Sequence, residues 1–141
     1  MNIIAIKEAA KKTWNAIKNS IPILIGILLL VALIINSVPK NFYEKIFTGN
    51  SILDPLIGAI FGSVAAGNPI NSYVIGGKLI DQGVSLIAII AFILSWVTVG
   101  IVQLPAESLM LGKKFAIFRN TYSFLTAIII AILTSYTLSL L

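Results

Sequence analysis

Chemistry in this chain has few residues to draw on. The acids are Glu8, Glu44, Asp54, Asp81 and Glu107, and neither cysteine nor histidine occurs. That removes disulfides, thiolate chemistry, haem ligation and the common zinc sites. It also removes imidazole, the usual proton carrier near neutral pH. Any proton coupling falls to one of the five acids. No nucleophile–base pair, metal cluster or phosphate loop is present, so no enzyme, metal site or cofactor is expected.

Polar residues set inside apolar stretches form two groups. The first is Gly67, Asn68, Pro69, Asn71, Ser72 and Tyr73. Asn68-Pro69 reads as a helix start, an amide cap before a proline. A helix N-terminus carries free N–H groups and a positive partial charge, which suits an anion or a carbonyl. The last carbonyls of the segment before it suit a cation. The plainer reading is an ordinary helix start, with Gly58 and Gly62 serving only close packing. The second group is Ser95, Thr98, Gln103, Pro105 and Glu107. Ser and Thr in a helix often bond their own backbone. Glu107 either takes a proton or a cation, or pairs with Lys113 or Arg119. Thr126, Thr134, Ser135 and Thr137 read as packing residues.

These groups must be positioned by apolar elements. The chain has 141 residues, 58% hydrophobic and 11% charged, with a mean hydropathy of +1.02. A soluble domain averages about 25% charged residues. The composition therefore excludes an ordinary soluble enzyme and predicts an all-α membrane protein. The range 1–19 reads as an amphipathic interfacial helix, with Ile3, Ile6, Ala10, Trp14 and Ile17 on one side and lysines on the other. A basic flank that merely sets orientation is the alternative. Three full transmembrane helices are expected at 20–39, 84–104 and 121–141. Phe42, Tyr43 and Phe47 suit an aromatic belt.

Between the first two spans lies the unusual segment 50–83. Seven of the ten glycines fall from Gly49 to Gly83, and two helix starts, Asp54-Pro55 and Asn68-Pro69, lie among them. Pro55 to Ala65 and Pro69 to Asp81 are each too short to cross a hydrocarbon core of about 30 Å. A re-entrant helical hairpin with its tip at Ala66-Gly67-Asn68 is expected, with two short spans as the alternative. The whole of 1–141 reads as one integral membrane domain.

Seven basic residues (Lys7, Lys11, Lys12, Lys18, Lys113, Lys114 and Arg119) flank the spans on one side, against Lys40, Lys45 and Lys78 on the other. The positive-inside rule then puts the N-terminus in the cytoplasm and the C-terminus outside a multi-pass cell membrane protein. The net charge of +5 is not a nucleic-acid signal, because the basic residues flank apolar segments instead of forming one stripe.

The runs Gly67-Asn68-Pro69-Ile70, Tyr73-Val74-Ile75, Trp96-Val97-Thr98-Val99-Gly100, Gln103-Leu104-Pro105-Ala106-Glu107 and Arg119-Asn120 together resemble half-length predicted permeases. These are similar to one half of the permease family that includes organoarsenical exporters. The resemblance implies a transporter subunit that works as a homodimer or with a second half-length permease. The exporters' cysteine-bearing motif has no counterpart here. Secondary transport of a small polar or anionic solute at the hairpin tip is the expected function. A passive channel of the same architecture and a non-transporting membrane scaffold are the alternatives. The expected partners are the lipid bilayer, a second copy and a small solute.

Overall fold

The computed structural model describes residues 3–37, 39–65 and 69–140. Seven helices occupy them: α1 (Ile3–Ser37), α2 (Lys40–Ile46), α3 (Leu53–Val64), α4 (Pro69–Asp81), α5 (Leu86–Thr98), α6 (Leu104–Leu111) and α7 (Lys113–Ser139). The chain divides into two compact units, Met1–Ser37 and Val38–Leu141.

The first unit is α1 alone. The expected interfacial helix and first span are one continuous helix of 35 residues. Ser20 does not start a new helix, and Pro22 lies inside it. A proline there removes one i→i−4 hydrogen bond but leaves the bonds on either side to carry the helix through. Trp14, Ile6 and Ile17 are exposed.

The second unit is built around α5, which packs against α3, α4 and α7. Small side chains make this possible: Ala59, Ala88, Ala91, Ala127 and Ala131 are all buried. Gly58 lies against the Ala88 carbonyl and Gly62 against the Phe92 carbonyl, so close that neither position has room for a Cβ. The two glycines thus serve close packing within the chain, between α3 and α5, and are not free to form a contact with another copy. One apolar cluster joins Tyr43, Val84, Ala88 and Ile89, with Phe47, Leu79 and Ile93 against it. Tyr43 is therefore a core residue with the half-buried Phe47 packed against it, and of the expected aromatic belt Phe42 alone is exposed. A second cluster joins Ala59, Ile87, Ala91 and Ala131, flanked by Ile90, Phe124 and Ile128.

The start of α3 differs in mechanism from the sequence expectation. Asn50 Oδ1 accepts the N–H groups of Ile52 (2.9 Å) and Leu53 (3.1 Å), so Asn50 supplies the side-chain cap. Asp54 sits within the first turn and is fully buried. It accepts the N–H groups of Thr48 (3.1 Å) and Gly49 (3.1 Å) and the Ser85 hydroxyl (2.5 Å). A carboxylate in the first turn of a helix is also favoured by the helix dipole. The result ties the loop before α3 to the start of α5.

Helix α4 covers the range the proline and glycine signals predict. It closes with the Gly83 N–H on the Ile80 carbonyl and the Val84 N–H on the Leu79 carbonyl. This is a Schellman ending, and it needs Gly83 at φ +89°.

The expected span 84–104 is interrupted. Helix α5 has 13 residues, about 20 Å at 1.5 Å per residue. It stops at Thr98, where Val99 turns extended (φ −102°, ψ 112°), and a separate helix α6 begins at Leu104 with Pro105 in its first turn. Proline is tolerated there because the first-turn N–H groups have no helical partner. Among the described residues, one helix, Lys113–Ser139, is long and apolar enough to cross a membrane. The expected fold of three full transmembrane helices and a re-entrant hairpin is therefore corrected to seven described helices, of which one has that length and apolarity. The multi-pass topology, with its opposite placement of the two termini, falls with it.

Candidate functional site

Two helix breaks meet in the second unit. Helix α3 ends at Ala65, whose backbone is extended (φ −69°, ψ 139°) and whose N–H bonds the Phe61 carbonyl at 3.2 Å. Helix α5 ends at Val99, whose N–H bonds the Ser95 carbonyl at 2.8 Å. Ala65 and Pro69 from the first break, and Trp96, Val97, Val99, Gly100, Val102 and Gln103 from the second, line one cleft of about 160 Å³.

The second break is held open by Asn120 of α7. Its Oδ1 accepts the Gly100 N–H at 2.7 Å, and its Nδ2 donates to Glu107 Oε2 at 3.1 Å and to the Ala116 carbonyl at 2.9 Å. Glu107 Oε1 pairs with Arg119 Nη2 at 2.6 Å. The ion-pair reading of Glu107 is the one its contacts bear out. Asn120 gives Gly100, just past the end of α5, the acceptor that the broken helix no longer supplies.

The residues singled out in the sequence separate in space. Pro69 and Gln103 line the same cleft. Asn71 and Ser72 are buried on α4, and the Ser72 hydroxyl donates to the Pro69 carbonyl at 2.7 Å. Tyr73 is exposed. Ser95 is buried on α5. Thr98 is exposed and donates to the Leu94 carbonyl at 2.7 Å, as a threonine with only a local role does. Pro105 lies in a different groove, with Leu104, Ser108, Leu109, Lys113 and Ile117. Gly67 and Asn68, with the expected hairpin tip, lie outside the described residues.

Among the described residues three buried side-chain atoms have no hydrogen-bond partner, Asn71 Oδ1, Ser95 Oγ and Arg119 Nε. Arg119 is already held through its Nη2 by Glu107, whereas Asn71 is 2% exposed and Ser95 0% exposed. An unpaired buried polar group costs about 1–3 kcal/mol. Pro69 and Trp96 line the cleft; Asn71 lies two residues after the first and Ser95 immediately before the second, close in sequence to the lining but not part of it. The sequence marks Asn120 only within the run Arg119-Asn120, with no role of its own, and does not mark Ser85. Their partners Gly100 and Asp54 lie 20 and 31 residues away, and no local spacing signals such a pairing. Among the described residues no group of His, Cys, Asp or Glu is placed to hold a metal ion.

No family model matches the chain, and neither a curated protein nor a solved structure matches it. The resemblance to half-length permeases is accordingly withdrawn. With one membrane-length helix among the described residues, the multi-span architecture that a transport site requires is not found, and the assignment to secondary transport is corrected with it.

Proposed function

We propose that this chain is a non-enzymatic helical binding subunit that holds a small polar solute at the cleft between its two helix breaks. The observation that carries the reading is the pair of unpartnered buried atoms, Asn71 Oδ1 and Ser95 Oγ, on the helices that frame the cleft. An amide oxygen is an acceptor, and a hydroxyl both donates and accepts. The matching solute carries at least one N–H or O–H donor, as small amines, amides and polyols do. A ligand present at a hundred times its Kd stabilises the folded state by about 2.7 kcal/mol. A melting-temperature screen of the full chain against ammonium, small amides and polyols tests this. A stabilising solute whose effect disappears in Asn71→Leu supports the reading. No shift with any member of the panel, together with unchanged stability in Asn71→Leu and Ser95→Ala, refutes it.

A second copy of the chain is the proposed protein partner. Ile60, Phe61 and Val64 on α3 and Ile70 and Tyr73 on α4 are each exposed. Exposed apolar surface of this kind, if contiguous, marks an interaction site. The chain has no cysteine, so Phe61→Cys and Tyr73→Cys report pairing directly through disulfide cross-linking. Cross-linking no stronger than at a cysteine placed at Lys78 argues against this face.

A further inference from the structure

The corner between α6 and α7 combines features that the cleft does not use. Leu109 is 89% exposed and Met110 84% exposed, the two most exposed large apolar side chains described. Phe115 and Phe118 are exposed on the first turns of α7. Beneath Leu109 runs an apolar groove of about 420 Å³, lined by Leu104, Pro105, Ser108, Leu109, Lys113 and Ile117. Lys113 stands at this groove and Lys114 follows it, both exposed. Neither has a carboxylate partner: the ion pairs among the described residues are Lys78–Asp81 and Arg119–Glu107. The nearest acid in sequence, Glu107, is thus already engaged.

From this juxtaposition we infer that the α6–α7 corner is a binding site for an anionic phospholipid. The groove takes an acyl chain, and Lys113 and Lys114 take the phosphate headgroup. Charge complementarity selects the occupant. An apolar groove alone accepts any greasy partner, whereas the unpaired ammonium group of Lys113 at the groove, with Lys114 next along the chain, favours a negative group at the apolar boundary. Lysine stems lie along apolar surface while their heads reach the interface. The single glycine between the helices, Gly112 at φ +91°, forms the sharp corner that brings Lys113 to the groove.

The absence of cysteine permits a local test in the full chain. Leu109→Cys carries an environment-sensitive fluorophore in vesicles of mixed phosphatidylcholine and phosphatidylglycerol. Either lipid is supplied in brominated form as the quencher. Each lysine near an anionic surface favours it about fivefold, so brominated phosphatidylglycerol is expected to quench severalfold more than brominated phosphatidylcholine. Lys113→Gln with Lys114→Gln equalises the two, while Lys11→Gln with Lys12→Gln leaves the difference intact. Equal quenching by both lipids in the unaltered chain overturns the inference. So does a label that no lipid quenches, or one shielded by a second copy, as reported by energy transfer between labelled chains.

Discussion

Asn120 serves three partners at once, the Gly100 N–H, the Glu107 carboxylate and the Ala116 carbonyl. Asn120→Ala leaves the Gly100 N–H and one Glu107 oxygen without it, and each buried group left unpaired costs about 1–3 kcal/mol. Asn120→Asp keeps the acceptor for Gly100 but sets a second carboxylate beside Glu107. Both variants are expected to lower the midpoint of thermal unfolding. The Asn120→Asp variant is expected to recover in part when Glu107→Gln removes the repulsion, a coupling that a double-mutant cycle measures. Asp54 works at longer range still. Ser85→Ala removes one hydrogen bond to a charged group, about 1.5–3 kcal/mol. Asp54→Ala removes that bond and both backbone bonds, so its loss is expected to exceed that of Ser85→Ala in the same denaturation series. Sequence spacing marks Asp54-Pro55 as a helix start, because a short-range partner is the only kind that spacing reveals. Asn50 performs the capping, and Asp54 reaches a serine 31 residues along the chain, at the start of another helix.

At the scale of elements, glycines divide sharply by what lies opposite them. A Cβ at Gly76 of α4 would lie 2.9 Å from Ile89 Cγ2 and 3.2 Å from Ile93 Cδ1, whereas a Cβ at neighbouring Gly77 would meet nothing within 4 Å. Gly77→Ala is therefore expected to stabilise the chain by roughly 0.5–1 kcal/mol, the helix-interior preference for alanine. Gly76→Ala loses that gain to the displacement of Ile89. At Gly58 the obstacle is the Ala88 backbone, which cannot rotate away as a side chain can. Gly58→Leu is expected to cost more than the roughly 1–3 kcal/mol of ordinary overpacking and to separate α3 from α5. Chemical unfolding of the three variants side by side gives the order Gly77→Ala, Gly76→Ala, Gly58→Leu from most to least stable. The small-residue spacing was legible in the sequence. Its partner helix was not, because Gly58 and Gly62 suit any close neighbour equally well.

Across the whole molecule, apolar side chains face outward on several elements. On α7, Ala127 and Ala131 are buried while Leu125, Ile129, Leu133 and Tyr136 are exposed. Contiguous exposed apolar surface calls for a covering of lipid or protein. The purified chain is expected to stay monodisperse only while detergent, lipid or a partner covers it. Light scattering during detergent withdrawal should show growth in mass. A stable monomer in plain buffer would show that the exterior needs no cover.

The sequence by itself determined the helical class, the start and end of α4 at Pro69 and Asp81 and the small-residue packing of α3, and it offered Arg119 beside Lys113 as a partner for Glu107. These rest on local rules: a proline in a first turn, a glycine after a last turn, opposite charges within reach. Hydropathy over a window cannot register where a helix stops for tertiary reasons. The stretch 84–104 is uncharged throughout, so it read as one span. Only the tertiary structure ends α5 at Thr98, because Asn120 on another helix accepts the Gly100 N–H and makes the break tolerable. The same structure joins the expected interfacial helix and first span into α1 and places Tyr43 in the core with Phe47 packed against it. Composition counts how much apolar surface a chain has, and packing decides whether a given residue faces another helix or the outside.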